Sequence, residues 1–374
     1  MKELMKIKTS FAEPGMIIGK DIYSASDYLI AGEGATLTDR MITRLKFYSV
    51  EEIVVFTPES LRKKEKPKPT FKNKPVIVPE GSSYVGRIKA SSEYRTFSTT
   101  FYSSFVSYRE HVNEVIQNKA PLNTESMLAD VSKVFGSCQN PSSLLDMMMV
   151  IRQVDDATYV HSMNVALICN LFAHWLKYDK AETEALTLAG LLHDLGKMLI
   201  PPSIIKKPGK LTDDEFRVIQ EHPLLGYNIL KDQKNIDPRI AKAALQHHER
   251  CDGKGYPNKL TLNEIEPFAK IVAIADVYDA LTANRVYRGP ICPLEVIGIF
   301  QSDGLTTYDP GFLMTFLDQI MYSYLNYTVK LSNGETGRII MMQRNQLDKP
   351  VIALDDDRYI DLRDEPGLSI VGVV

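Results

Sequence analysis

Apolar residues follow two different rhythms along this chain, and the rhythm changes twice. From about residue 91 to 325 they recur every three to four positions, the spacing of amphipathic helices. The pattern predicts helices at 101–115, 126–135, 159–176, 184–195, 213–220, 238–247, 271–281 and 293–300. Thr212-Asp213-Asp214-Glu215 matches a capping box and opens the 213–220 helix. Pro223 stops that helix, because the residue before a proline is pushed out of the α region, so His222 falls at a helix end. On either side the period shortens. Residues 16–19, 28–30 and 52–56 read as strands, with a helix at 38–48 between them. After Tyr327, alternating runs at 328–331 and 336–342 flank Asn333-Gly334, a strong hairpin signal. Further strands follow at 351–354, 359–362 and 369–373.

The expected architecture is therefore mainly α. A helical bundle (91–325) is flanked by a small α+β module (1–60) and a small β-hairpin or barrel module (326–374). Between the first module and the bundle lies a linker (61–90). Its residues 62–74 carry seven Lys/Arg and one Glu among repeated prolines, the composition of a solvated tether.

Composition narrows the function classes. The chain has 374 residues, with 44 Lys+Arg against 47 Asp+Glu and a net charge of −3. That balance gives no broad surface for a nucleic-acid polymer, but leaves room for a small anion held by local charges. No apolar run approaches the ~20 residues of a membrane helix. The N-terminus, MKELMKIKTS, has no apolar signal core. Four widely spaced cysteines without a CxxC argue against a disulfide framework or thiolate zinc, and fit a reducing, cytoplasmic location.

Histidine carries the chemical signal. Five of the seven histidines, His161, His193, His222, His247 and His248, fall within an 88-residue stretch of the helical region. His193-Asp194 and His247-His248 are adjacent pairs at the ends of apolar helices. One histidine on an apolar face is usually a core residue; five with such pairs fit neutral imidazole ligands of a metal. Asp194 can bridge two cations through its two oxygens. Asp276 is a charge in an otherwise apolar helix, costly to bury without a partner. Asp279 lies one turn later on the same face. Nitrogen and oxygen donors with little sulfur suit iron or manganese, with zinc as the alternative. Two such cations can activate a bridging water and hold the oxygens of an in-line phosphoryl displacement, which makes the substrate a phosphate ester. Lys197, Arg285 and Arg288, with Lys206, Lys207 and Lys210, are nearby cations. Tyr256, in a Gly/Pro turn, could stack on a base.

These residues carry a family resemblance. HDLGK, KPGKLTDDE, EHPLLG, HHERCDGKGYP and ADVYDALTANRVYR occur in an order similar to the HD-GYP subfamily of the HD phosphohydrolases, over roughly residues 91–325. The resemblance implies an HD-type helical bundle and a cyclic-di-GMP phosphodiesterase that opens the ring to pGpG, and often cleaves on to GMP. It implies one metal on His161, His193, Asp194 and Asp276, and a second sharing Asp194 and taking His222, His247 and His248. Asp194 and Lys197 would be catalytic. Lys197, Arg285, Arg288, Tyr256 and Asp279 would contact substrate. The pattern departs at Ala157, where trinuclear members have Glu, so two metals are expected. It departs again at Cys251 for Trp, Val286 for Pro and Asn284 for Asp. Competing readings are a non-catalytic cyclic-dinucleotide receptor and a hydrolase of another nucleotide such as 3′,3′-cyclic GMP-AMP. A second copy or a signalling partner would meet the N-terminal module.

Overall fold

The computed structural model describes residues 4–23, 29–37, 41, 42, 45, 50–56, 84–151, 157–207, 209–282, 292–343, 346–354 and 358–374. The chain divides into two compact units, 1–75 and 76–374.

In the first unit β1 (Leu4–Lys8) pairs antiparallel with β4 (Glu52–Phe56), from Leu4↔Phe56 to Lys8↔Glu52. A second pair joins β2 (Ile22–Tyr23) to β3 (Leu29–Ala31). Alternation over residues 52–55 of β4 turns Ile53 and Val55 inward, where they meet Ile18, Ile22, Leu37 and Leu45 in a small core. Residues 16–19 do not form the expected strand. They make single bridges to two partners, Ile17↔Thr36 on one side and Ile18↔Val55 on the other, so no continuous ladder develops. Met41, Ile42 and Leu45 of the expected 38–48 helix are helical; the rest of that helix and the basic segment 61–75 lie outside the described residues.

The second unit is a helical bundle with a sheet on it. Its helices are α1 (Tyr84–Ala90), α2 (Ser92–Asn118), α3 (Thr124–Gly136), α4 (Pro141–Ile151), α5 (Ala157–Trp175), α6 (Lys180–Leu192), α7 (Pro202–Ile205), α8 (Asp213–Ile219), α9 (His222–Leu230), α10 (Pro238–Gln246), α11 (Pro267–Thr282), α12 (Pro293–Thr307) and α13 (Pro310–Ser323). α5 and α11 are nearly continuous apolar helices, and both run through the core. α8 carries the expected capping box, with Thr212 accepting from the Glu215 amide and Glu215 accepting from the Thr212 amide. α8 ends at Ile219, before Pro223 is reached. Pro223 instead occupies the first turn of α9, where a missing N–H costs nothing.

The C-terminal strands are β5 (Thr328–Leu331), β6 (Thr336–Met341), β7 (Val351–Leu354), β8 (Tyr359–Asp361) and β9 (Ile370–Val373). They form one antiparallel sheet in the order β8-β7-β6-β5-β9. Its inward residues, including Val329, Leu331, Ile339 and Ile352, belong to the same core as Phe316 and Tyr324 of the bundle. The Tyr327 hydroxyl donates to Asp146 of α4 at 2.5 Å. No helix among the described residues is long and apolar enough to cross a membrane.

Candidate metal centre

Four helix ends and two helix interiors converge on one buried point. α6 starts at Asp179, whose side chain accepts from the Glu182 amide, and its second half is buried throughout. It stops at His193, and Asp194 leads into a 3-10 helix (Leu195–Leu199). Gly196 is the reason that turn can sit where it does. A Cβ there would lie 2.0 Å from the His222 carbonyl oxygen and 2.5 Å from the Gly226 amide nitrogen, so only glycine lets the two backbones touch. This contact sets Asp194 against His222, the first residue of α9. His247 caps the C-terminus of α10. His161 comes from inside α5, and Asp276 and Asp279 from inside α11.

Three histidines are oriented by one device. Each Nδ1 faces the carbonyl oxygen three residues earlier: His193 to Gly190 at 2.7 Å, His222 to Ile219 at 2.7 Å and His247 to Ala244 at 2.9 Å. A carbonyl can only accept, so Nδ1 carries the proton and each Nε2 turns a lone pair inward. The Nε2 atoms of His222 and His247 then lie 3.2 Å apart, acceptor facing acceptor. Asp194 is the hub. Its Oδ1 lies 3.3 Å from His222 Nε2 and 3.6 Å from His247 Nε2. Its Oδ2 lies 3.3 Å from His193 Nε2 and 3.7 Å from His161 Nε2, and accepts from Lys197.

His161 is held differently. Its Nε2 lies 2.9 Å from Asp276 Oδ1, and its Nδ1 lies 2.8 Å from Asp279 Oδ2. Asn164 donates to the other Asp279 oxygen at 3.1 Å. Asp279, expected as a substrate contact, is thus buried behind His161.

The electrostatics suit cations. Burial drives His247 down to about 4 and His248 well below its ordinary value, so both rings are neutral at neutral pH. Burial opposes charge on His161 too, but Asp276 and Asp279 outweigh it and raise that ring to about 9. Burial would raise Asp194 and Asp276; the Lys197 ammonium beside the first, and His161 beside the second, hold both carboxyls well below their usual range.

The protein leaves specific atoms without partners here. His193 Nε2 and Asp194 Oδ1 are buried with no group in hydrogen-bond geometry. Unpaired buried acceptors are costly, and opposed imidazole lone pairs add to the cost. A divalent cation relieves both, so the donor set fits metal. The ligand-capable atoms fall into two groups: Asp194, His222, His247 and His248, and His161, His193 and Asp276. Within each group all such atoms lie within 4.8 Å of one another.

The other expected site residues are placed as follows. Lys197 is half-buried and engaged with Asp194. Tyr256 stacks on His248, with ring centroids 4.7 Å apart and planes at 26°. Arg285 and Arg288 lie outside the described residues. Ala157 begins α5, one turn before His161. Two contributors were not anticipated from the sequence. Buried Glu249 accepts from the Asn258 and Leu260 amides at 2.6 and 2.9 Å and ties down the loop carrying Tyr256. Gly255 lets that loop lie flat, since a Cβ there would come within 2.6 Å of the His248, Glu249 and Arg250 backbones. Glu249 follows the His-His pair directly, and that adjacency was the available signal.

Residues 125–312 match the HD domain family, half of the chain, and the protein belongs to that family. Among characterised relatives, the cyclic di-GMP phosphodiesterase PA4108 of Pseudomonas aeruginosa is 33% identical over 212 residues, covering 57% of this chain and 51% of that protein. The cyclic di-GMP phosphodiesterase response regulator RpfG of Xanthomonas campestris pv. campestris is 36% identical, over 47% of this chain and 46% of that one. The 3′3′-cGAMP-specific phosphodiesterase 2 of Vibrio cholerae is 43% identical, over 36% of this chain and 26% of that one. The chain spans about half the length of the first two and about a quarter of the third. Among solved structures, Bd1817, an HD-GYP-type protein of Bdellovibrio bacteriovorus, aligns over 85% of this chain and 99% of its own with a TM-score of 0.46 and 18% identity.

Proposed function

We propose that this chain is a metal-dependent phosphodiesterase of the HD-GYP subfamily that hydrolyses cyclic di-GMP to linear pGpG. The observation that carries the reading is the arrangement of six other ligand side chains around Asp194, whose two oxygens each face a different pair of imidazoles. The metal ligands are His161, His193, Asp194 and Asp276 on one side, and Asp194, His222, His247 and His248 on the other. Iron or manganese suits this mixed nitrogen and oxygen set, with zinc as the alternative. Bound divalent ions at such a site supply Lewis acidity toward a phosphoryl oxygen and a nucleophile at neutral pH.

The chain's own groups do the positioning. Asp279, backed by Asn164, holds the His161 ring so that Nε2 faces Asp276 and Asp194. Lys197 keeps an ammonium at the edge of the centre, where it can meet a non-bridging phosphate oxygen as charge grows on it. Tyr256, braced against His248, offers a ring face for guanine. Arg285 and Arg288 are assigned to the phosphates on their place in the motif alone. Hydrolysis adds one water across one phosphodiester bond, leaving a 5′-phosphate and a free 3′-hydroxyl.

A second substrate, 3′,3′-cyclic GMP-AMP, is supported by the 43% identity to a relative named for it. The test is a substrate panel of both cyclic dinucleotides on protein loaded with Mn²⁺ or Fe²⁺, alongside Asp194→Asn. The reading expects pGpG as the product of cyclic di-GMP and loss of turnover by at least about a thousandfold in the variant. Faster turnover of the mixed dinucleotide would select the second substrate. Metal loading and ligand binding with no product from either would mark a receptor.

A further inference from the structure

A helix outside the HD match reaches into the centre. α2 ends at Asn118, before the matched residues begin at 125. Tyr108, on its inner face, is 2% exposed. Its hydroxyl donates to the Leu191 carbonyl at 2.7 Å, and the Ser162 side chain lies beside the same phenol. Leu191 stands two residues before His193, and Ser162 directly follows His161. One hydroxyl therefore touches both segments that present these two ligands, whose rings meet edge to face with centroids 5.3 Å apart.

Leu191 lies in the last turn of α6, where carbonyl oxygens run out of partners within the helix. Tyr108 supplies one from another helix. The phenol ring is itself fixed, packed edge-on to Tyr159 of α5 at 5.9 Å and 81°. One turn earlier on α2, Ser104 makes a comparable bond to the Asp130 carbonyl at 3.1 Å, but on α3, which bears no ligand.

We propose that Tyr108 is a positioning residue: a strap from outside the HD region that sets the separation of His161 and His193, and so the metal position they form with Asp276. This rests on reading the centre as a metal site. Tyr108 works through the two ligand-bearing segments and has no part in the chemistry itself.

The test uses the full chain loaded with Co²⁺ or Mn²⁺. Tyr108→Phe keeps the ring and removes the hydroxyl. The variant should still take up two equivalents, but release one of them to excess chelator about tenfold faster or more. The visible absorption of its Co²⁺ form should change, and kcat should fall with KM unaltered. Ser162→Ala should also speed release, and the double variant should release no faster than Tyr108→Phe alone, because both changes break one connection. Ser104→Ala, which loses a bond of similar burial away from the ligands, should release at the wild-type rate. Wild-type release by Tyr108→Phe, or equal acceleration by Ser104→Ala, overturns the strap and leaves the metal centre standing. Wild-type protein that takes up no metal overturns both.

Discussion

His161 differs from the other oriented histidines in what it gives its Nδ1 proton to. His193, His222 and His247 each face a backbone carbonyl, whereas His161 faces the Asp279 carboxylate. A carboxylate partner makes an imidazole a stronger donor and fixes its tautomer. Asp279→Asn should therefore weaken the metal position of His161, His193 and Asp276 about 10–100-fold while sparing the other. Metal titration of the variant checks this, and loss of both equivalents together would contradict it. The same histidines set a pH signature for the metal-free protein. His247 has a folded value of about 4, below its unfolded value of about 6.5, so its contribution is present above 6.5 and is lost as pH falls through 4. His161 has a folded value of about 9, so its contribution is present below 6.5 and is lost as pH rises through 9. Stability of the chelator-treated protein should peak near neutral and fall on both sides, as thermal melts across pH 4–9 would record. Bound metal should remove the alkaline limb, since a ligated His161 no longer takes up the second proton.

At the scale of elements, glycine contacts decide whether the ligand-bearing segments meet. Gly196→Ala would force its Cβ against the His222 carbonyl oxygen, which must move together with α9. A cost of about 1–3 kcal/mol in stability is expected. Metal retention should fall in parallel, measurable by denaturant melts and metal analysis of one preparation. Much of this level was legible in the sequence. Helical spacing placed α5, α6, α10 and α11, and the capping box placed the start of α8. The adjacent His-Asp and His-His pairs pointed to a cluster because packing alone rarely produces them. What was not legible depends on partners distant in the chain. Residues 16–19 are strand-like in composition, yet are divided between Thr36 and Val55. Asp279 reads as an acid on the ligand face of α11, but only the approach of α5 shows that His161 and Asn164 occupy its oxygens. No local pattern distinguishes Gly196, which must be bare, from a glycine that merely ends a helix.

For the whole molecule, the bundle's core continues into the C-terminal sheet, so the strands after Tyr327 are part of what keeps α13 and α4 in place. The N-terminal unit has its own small core. Membership of the HD domain family covers the middle of the chain, and the seven proposed ligands all fall within that stretch. The central claim is that these seven side chains hold two cations through a shared Asp194. Elemental analysis of the full chain, purified without added metal and again after anaerobic loading with Fe²⁺ or Mn²⁺, tests it most directly. Two equivalents per chain in the wild type, falling in Asp194→Asn, are predicted. An Asp194→Asn protein that still holds two equivalents, or a wild type that holds none after loading, would contradict it.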